Sequence, residues 1–420
     1  MSELAIRGGK PVLPAPLAKY PSMGEAEARA VAEVMRSGTL SGFYGSWGDE
    51  FLGGPRVKEF ERAWAGRFGI AHAVSMNSAT SGLMAAMGAI GIGPGDEVIV
   101  PPFTMSATAM APLVYGGIPI FADIEPATFC LDPEAVERAI TPRTKAIITV
   151  NLFGHPAPLA RLRALADARG LKLVEDNAQG PLAEENGRLA GTVGHIGVFS
   201  LNYHKHVHTG EGGMCVTADA GLALRLQLIR NHAENIVEPA GLADISGMVG
   251  FNFRMTELSA AVGLVQLGRI EDHVRERERI AKTLNDGLRG LAGVAVPEAR
   301  PGCRHVHYLW CARWDEASTG VSRARFSAAL ASEGFPHFNG YVKPLYHLPV
   351  FRKRIAFGPS GYPFNLSDVR YAPGDCPVAE RMHFRELICF ETCMYRIGPG
   401  DAERLVEAFR KVHSHRDELR

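Results

Sequence analysis

One lysine, Lys205, lies in a setting that suits covalent chemistry. It follows an apolar segment, residues 195–199, that is typical of a buried strand end, and it precedes the glycine-rich run 209–213. Burial disfavours the charged ammonium and leaves a free amine that condenses with a carbonyl group. We therefore expect Lys205 to form a Schiff base with an aldehyde. The alternative is an ordinary surface-loop lysine, and only other segments of the chain can decide against it.

Two further segments supply groups that such an aldehyde needs. Residues 78–81, Ser-Ala-Thr-Ser, follow a predicted strand and open a helix, where free backbone amides form an anion site. Asp176 follows the predicted strand 172–175, and a carboxylate there keeps a pyridinium nitrogen protonated. A helix cap and a turn aspartate are the ordinary alternatives. Together, the order of phosphate site, acid and lysine is the one expected for a pyridoxal phosphate (PLP) enzyme of the aspartate aminotransferase type.

The elements that must position these residues alternate regularly from residue 57 onward. Largely apolar strands alternate with helices, the strands lying near 73–76, 97–101, 118–122, 144–150 and 172–175. This pattern predicts an α/β fold with a mostly parallel sheet covered on both faces, in which ligands bind beyond the carboxyl ends of the strands. We expect an N-terminal arm at 1–23, a large domain at 24–270 and a small α+β domain at 271–420.

Composition argues against several classes of protein. Lys and Arg total 45, as do Asp and Glu, so no net charge attracts nucleic acid or a membrane. The seven cysteines are scattered without a CxxC pair, which favours a reduced, cytoplasmic chain. No apolar stretch reaches the length of a membrane span, and the N-terminus lacks a signal-peptide pattern.

The chain resembles the DegT/DnrJ/StrS family of PLP-dependent sugar aminotransferases. The resemblance covers most of the sequence and rests on Phe199-Ser200, on Lys205 through Gly213, and on the segment 250–257. It implies the aspartate aminotransferase fold with a seven-stranded sheet, PLP as cofactor, and a keto sugar, usually nucleotide-linked, or a ketocyclitol as substrate. Family members serve antibiotic and surface polysaccharide biosynthesis alike.

The resemblance also implies roles for individual residues around the cofactor. Lys205 and Asp176 would be the catalytic pair. The cofactor would further contact the backbone amides of Ala79 and Thr80 and the side chains of Ser200, at the phosphate, and Gln179, at the ring hydroxyl. The family has an aromatic residue stacked on the ring where this chain has Met105; either Met105 takes that place or Phe103 does.

Other residues would face the substrate or a second subunit. Asn252 would reach the phosphate of the neighbouring subunit, which implies a homodimer with shared active sites. His206, Tyr341 and His347 are candidate substrate contacts, with packing as the alternative for each. The alternating histidines 204, 206 and 208 are unusual; we expect polar neighbours of the site, not a metal site, because no second ligand cluster is evident. The aromatic, glycine-rich loop 38–55 is either a lid or a subunit contact.

The implied reaction is a ping-pong transamination. Glutamate or glutamine gives its amino group to the cofactor, and the keto substrate then receives it, with Lys205 as nucleophile and as carrier of the proton. The alternative is a PLP-dependent dehydratase or deoxygenase of the same family, but the branch that dehydrates sugars replaces the lysine by histidine. A third class, a PLP-binding regulatory protein without turnover, does not explain why both Lys205 and Asp176 are present.

Overall fold

A seven-stranded sheet forms the centre of the chain in the computed structural model, which describes residues 3–420. The strands, in chain order, are β1 (His72–Met76), β2 (Glu97–Val100), β3 (Ile118–Phe121), β4 (Thr144–Val150), β5 (Lys172–Asp176), β6 (Glu184–Glu185), β7 (Arg188–Leu189), β8 (Ile196–Ser200), β9 (Gly213–Thr217), β10 (Val294–Ala295), β11 (Cys303–Arg304), β12 (Trp310–Trp314), β13 (Phe338–Asn339) and β14 (Leu387–Phe390). The large sheet has the order β1-β9-β8-β5-β4-β2-β3. Its strands pair in parallel except β9, which is antiparallel to both of its neighbours, so the predicted mostly parallel sheet is confirmed.

Helices cover both faces of this sheet and build the C-terminal part of the chain. They are α1 (Glu25–Ser37), α2 (Pro55–Phe68), α3 (Ala79–Ala89), α4 (Ala107–Val114), α5 (Pro133–Ala139), α6 (Leu159–Ala168), α7 (Ala220–Arg230), α8 (Glu257–Gly268), α9 (Ile270–Leu288), α10 (Glu316–Thr319), α11 (Arg323–Ser332), α12 (Pro349–Arg352), α13 (Pro377–Arg381) and α14 (Pro399–Ser414). Side-chain caps fix several of their first turns, as at Asp132 for α5 and Asp219 for α7. Within residues 3–420 no helix has both the length and the apolarity needed to cross a membrane.

A second, smaller sheet with its own apolar core lies in the C-terminal part. Its order is β10-β12-β14-β13, and α9, α11 and α14 contribute the helical layer of this core. Trp314 stacks on Phe326 with ring centroids 3.9 Å apart, and Phe409 packs beside them. Leu4 and Leu13 of the N-terminal segment are buried in the same core, so the start of the chain packs on its end.

A buried ion pair holds the N-terminal segment in place. Glu333 is fully buried, and its carboxylate accepts hydrogen bonds from the backbone N–H of Ala5 (2.8 Å) and of Val12 (3.1 Å). The Lys411 ammonium donates to the same carboxylate (2.9 Å) and to the carbonyl of Lys10 (2.9 Å). A buried charge is tolerated only when it is paired and hydrogen-bonded, and these donors meet that condition.

The helical stretch that follows Arg254 consists of two helices, α8 and α9. The Thr256 hydroxyl accepts from the Ser259 N–H and caps α8, so Arg254 lies before the helix and not in it. Arg269 interrupts the run between α8 and α9. A threonine cap therefore sets the start of α8.

Candidate active site

The ends of four strands meet at one edge of the large sheet. Gly213, the first residue of β9, pairs with Met76 at the end of β1 and with Ser200 at the end of β8. Asp176 ends β5, which lies on the other side of β8. Residues 201–212, here called the lysine loop, leave β8 at this edge and return to β9. The carboxyl ends of the parallel strands and Lys205 therefore share one edge, as the sequence predicted.

The first turn of α3 presents backbone amides at this edge. The Ser78 hydroxyl accepts from the N–H of Ser81 (3.0 Å), and helix geometry leaves the amides of Ala79 and Thr80 without a partner inside the helix. Gly213 lies so close that a Cβ there would be 2.5 Å from the Ser78 carbonyl oxygen and 2.7 Å from the Ala79 nitrogen. Only glycine leaves these amides where they are, and free amides at a helix N-terminus fit a phosphate.

Asp176 presents a buried carboxylate on the neighbouring strand. Its Oδ2 accepts from the Thr108 hydroxyl (2.8 Å), and its Oδ1 accepts from the Ala178 N–H (3.2 Å). Burial raises the pKa of this carboxyl, while the Thr108 and Ala178 bonds and the charge of Lys205 act in the opposite direction. A buried carboxylate with neutral donors on both oxygens is suited to hold a cationic ring nitrogen.

Lys205 lies half-buried in the lysine loop, with its amine against an aromatic ring. Its Nζ is 4.3 Å from the centroid of the Tyr308 ring. Removal of the ammonium from water lowers the pKa of Lys205 to about 8, although the Asp176 carboxylate acts against this shift. The lowered pKa increases the share of uncharged, nucleophilic amine near neutral pH.

Gln179 and Tyr341 meet beside the carboxylate. The Gln179 side-chain oxygen accepts from the backbone N–H of Phe153 (2.7 Å), and its Nε2 donates to the Tyr341 hydroxyl (3.0 Å). The Phe153 bond fixes which end of the amide points inward, so Nε2 still has a second hydrogen for a ligand oxygen. The structure thus brings together two residues that the sequence offered separately, one for the cofactor and one for the substrate.

Met105 and Phe103 have very different surroundings. Phe103 is fully buried and packs edge-to-face against Phe153 and Tyr341. Met105, just before α4, is 53% exposed. A ring that is already enclosed by other aromatic side chains has no free face for a ligand. Of the two alternatives for the ring-stacking position, the packing favours Met105.

The three histidines around Lys205 have three different environments. His204 lies edge-on to Tyr203, with centroids 5.0 Å apart. His206 is buried, and its Nε2 bonds to the carbonyl of Val306 (2.8 Å) instead of facing open space. His208 is buried too and bonds through Nε2 to the hydroxyl of Ser22 (2.6 Å). Among residues 3–420 no group of three or more His, Cys, Asp or Glu side chains is arranged to hold a metal ion.

Two predicted contacts lie further out. The His347 Nε2 bonds to the Glu380 carboxylate (2.9 Å), which also accepts from Tyr346. Asn252 is exposed, and its side-chain oxygen accepts from the Nε of Arg254 (2.7 Å). The backbone of its segment lies beside the start of α3, since the N–H of Asn77 donates to the carbonyl of Phe253 (2.8 Å). The roles of these residues stay predictions.

Thr108 was missed by sequence reasoning. It is fully buried in the first turn of α4 and holds Asp176 directly. Its only signal in the sequence is its place after β2, whose carboxyl end points to the same edge of the sheet. Buried threonines in helices are common, so this signal alone would not have found it.

Comparison with known proteins agrees with this geometry. A family model described as the DegT/DnrJ/EryC1/StrS aminotransferase family matches residues 21–393. The L-glutamine:2-deoxy-scyllo-inosose aminotransferase of Streptomyces kanamyceticus is 36% identical, with 99% of this chain and 98% of the relative covered.

Solved structures show the same fold. The crystal structure of DesI in the presence of its TDP-sugar product has a TM-score of 0.82 at 31% identity, covering 99% of this chain and 97% of that one. The structure of S. venezuelae DesV in complex with a ketimine intermediate has a TM-score of 0.78 at 29% identity, covering 95% and 99%. The predicted PLP-dependent transferase fold is confirmed. The chain belongs to the DegT/DnrJ/EryC1/StrS family and is an aminotransferase, as the lysine segment and its surroundings predicted.

Proposed function

We propose that this chain uses PLP and Lys205 to transfer the amino group of glutamine to the keto group of a ketocyclitol or a keto sugar. One observation carries the proposal: the amine of half-buried Lys205, the buried carboxylate of Asp176 and the free amides at the start of α3 share one sheet edge. The full-length similarity to an L-glutamine:2-deoxy-scyllo-inosose aminotransferase favours glutamine as the donor and a ketocyclitol as the acceptor. The similarity to DesI supports a nucleotide-linked keto sugar as the second candidate.

The residues at the edge fit PLP group by group. The amides of Ala79 and Thr80, with Ser200, would hold the phosphate, and Gly213 keeps that cradle open. Asp176 would hold the ring nitrogen, and Gln179 the ring hydroxyl. When bound, PLP supplies an electron sink for the charge that develops at the carbon losing its proton.

Lys205 has two tasks in this scheme. As the uncharged amine it would hold the cofactor aldehyde covalently, and burial favours that uncharged form. When the amino donor takes its place, the freed amine would accept the proton of the donor α-carbon, and it would return a proton to the keto substrate in the second half of the reaction. The Tyr308 ring below Nζ limits where this amine can go.

The test compares Lys205→Ala with Lys172→Ala, an exposed lysine at the opposite end of β5. Borohydride reduction of the PLP-loaded protein, followed by peptide mass spectrometry, should place the cofactor on Lys205 and leave the Lys205→Ala protein unlabelled. Turnover should be lost in Lys205→Ala and retained in Lys172→Ala. Retained turnover in Lys205→Ala would sink the proposal. With glutamine labelled with ¹⁵N at the α-amino group, the label must appear in the product, and with glutamine labelled at the amide it must not, whereas a dehydratase leaves the product unlabelled in both cases.

We also propose that the active unit is a homodimer with shared sites. Several large apolar side chains, which are rarely left in water on a monomer, are exposed: Leu40, Tyr44, Trp47, Met105, Ile245 and Val249. Asn252 is exposed and lies near Tyr44, since it forms an isolated bridge with Asn231, whose side chain donates to the Tyr44 carbonyl (2.9 Å). Three segments would form each subunit, an arm at 1–23, a large domain at 24–270 and a small domain at 271–420. The free state of all seven cysteines supports a cytoplasmic location.

Complementation tests the shared site. Lys205→Ala and Asn252→Ala should each be inactive or strongly impaired alone. If Asn252 serves the partner's site, a mixed dimer has one doubly damaged site and one intact site. Random mixing makes half of the dimers mixed, so roughly a quarter of the normal activity should return. If no activity returns while the mixed dimer forms, Asn252 acts within its own chain.

A further inference from the structure

Residues 18–22 cross the molecule as a short strap. Lys19 forms an isolated antiparallel bridge with Tyr395. The N–H of Tyr20 donates to the carbonyl of Met394 (3.0 Å), and the N–H of Arg396 donates to the carbonyl of Ala18 (2.8 Å). The strap is therefore attached through its backbone to the segment that follows β14.

The strap next contacts α9. The Tyr20 hydroxyl bonds to Nδ1 of His273 (2.7 Å), and the guanidinium of Arg277 lies over the Tyr20 ring, 4.1 Å from its centroid. Arg277 is buried, with 1% of its surface exposed. Since a desolvated guanidinium over an aromatic face is a favourable contact, Tyr20 fixes the strap against this helix.

The end of the strap bonds to the lysine loop. His208 is 6% exposed, and its Nδ1 accepts from the N–H of Gly210 (3.2 Å). An accepting Nδ1 in a neutral ring requires the proton to be on Nε2, so Nε2 donates to the Ser22 hydroxyl (2.6 Å). His208 is three residues from Lys205, and one imidazole thus joins the strap to the backbone of the loop.

A second set of hydrogen bonds, made by Gln266 of α8, holds Ser22 and His208 next to each other. Gln266 of α8 donates through Nε2 to the carbonyl of Ser22 (2.9 Å) and to the carboxylate of Glu27 (2.8 Å). Its side-chain oxygen accepts from the N–H of His208 (3.4 Å). Arg269 forms an ion pair with Glu27, which is itself buried. Ser22 and His208 are therefore oriented by one buried amide on α8, a helix that packs against α1 and α2.

From these contacts we propose that the strap positions Lys205, with His208 as the positioning residue that joins Ser22 to the lysine loop. The proposal rests on the proposed role of Lys205. Within the loop, the N–H of Lys205 donates to the carbonyl of Asn202 (3.0 Å), and the backbone of Leu201 bonds to Thr209 and Gly212 (both 2.9 Å). Two side chains after Lys205 attach the loop to other segments: His206 bonds to the carbonyl of Val306 (2.8 Å), and His208 joins the loop to the strap.

Three substitutions test the hydrogen bond between Ser22 and His208 separately from the other contacts of these residues. Ser22→Ala removes the acceptor on the strap. His208→Asn keeps an acceptor near Nδ1 for Gly210 but cannot reach Ser22, whereas His208→Gln places an amide N–H near Nε2 and restores that bond. Ser332→Ala, which removes a hydroxyl bonded to the carbonyl of Ala328 at the far end of α11, is the matched control.

Two measurements are made on each protein. Hydrogen–deuterium exchange of the cofactor-free protein reports opening of residues 201–212. Steady-state kinetics of the loaded enzyme reports kcat and KM. We expect faster exchange in this loop and a kcat lower by roughly three- to tenfold, with little change in KM, for Ser22→Ala and His208→Asn. His208→Gln and Ser332→Ala should match the unaltered protein, and Ser22→Ala should remove the rescue by glutamine.

The outcomes distinguish this proposal from the proposed function. Unchanged exchange and kcat in Ser22→Ala overturn the strap proposal even if Lys205 is catalytic. Faster exchange with unchanged kcat overturns it as well, because the bond is then structural only. If the unaltered protein never links PLP to Lys205, the proposed function fails, whatever the exchange shows. If His208→Asn does not fold, Ser22→Ala, whose side chain is half-buried at the surface, decides alone.

Discussion

Replacing Thr108 by valine removes one hydroxyl from the site and leaves its shape unchanged. The hydroxyl donates to the Asp176 carboxylate across 2.8 Å, and both residues are buried. A hydrogen bond to a charged group is worth about 1.5–3 kcal/mol, which corresponds to about one to two pKa units. We expect Thr108→Val to raise the pKa of Asp176 further above its ordinary value, in the direction in which burial already moves it.

With a higher pKa, Asp176 would be protonated in a larger share of the molecules at acidic pH, and a protonated carboxyl group would bind the ring nitrogen less tightly. The acid limb of the pH profile of kcat/KM should move up by about one to two units, and the Kd for PLP should rise roughly tenfold or more near neutral pH. An absorbance titration with PLP and a pH series of initial rates measure both quantities. A pH profile and a PLP affinity that coincide with those of the unaltered protein would refute the assigned role of this bond.

Thr149→Val is the matched control. Thr149 is fully buried on β4, next to β5, and its hydroxyl has no hydrogen-bond partner among the described residues. Exchange of an unpaired buried hydroxyl for a methyl group should leave the profile unchanged and stabilise the fold by about 1 kcal/mol. A shift shared by both variants would mean that the loss of any buried threonine in this region disturbs the site, without a specific effect on Asp176.

Two further predictions concern stability. Glu175→Gln should lower the melting temperature markedly. The carboxylate accepts from the backbone N–H of Gly194 (2.6 Å) and of other loop residues, and an amide N–H₂ would face those donors. An unchanged melting temperature would contradict this. Burial lowers the pKa of His155 to about 4 and of His206 to about 3, so the unfolded chain binds more protons below pH 6.5. Stability should therefore fall as the pH drops from 6.5 toward 4, by up to about 1.4 kcal/mol per unit for each histidine, and His155→Gln should flatten the melting temperature against pH.

The large sheet could be predicted because each of its strands is an apolar run with its own local signal. Segments such as Thr144–Val150 are buried on both faces and are recognisable without any partner. The two-residue strands β6, β7, β10, β11 and β13 were not predicted. β6 and β7 form a short hairpin with each other, and β6, β10, β11 and β13 pair with segments elsewhere along the chain, as Cys303–Arg304 does with β6. Such pairing depends on the folded topology, which short-range patterns do not contain.

The candidate site also combines residues that the local sequence makes recognisable with residues whose contacts depend on the fold. Lys205 and Asp176 have chemistry that is visible in the residue type and in the position after a strand. The bond between Thr108 and Asp176 joins residues 68 positions apart, and the bond between Ser22 and His208 joins residues 186 positions apart. Neither threonine nor serine is distinctive in composition, so only the fold shows what they hold. The sequence predicted which groups react, and the structure adds which groups orient them.

The departures from the family pattern follow from how each contact is made. The contacts expected at the phosphate come from backbone amides at the start of α3, and they depend on the close approach of Gly213 rather than on the side chain at Ala79. The contact expected on the face of the ring is dispersion, for which a polarizable thioether such as Met105 can replace an aromatic side chain. Asp176 has no such freedom, because only a carboxylate held by neutral donors can keep a ring nitrogen protonated. Variation at Met105 and constancy at Asp176 are thus expected from the same physical chemistry: dispersion is tolerant of chemical type, and charge pairing is not.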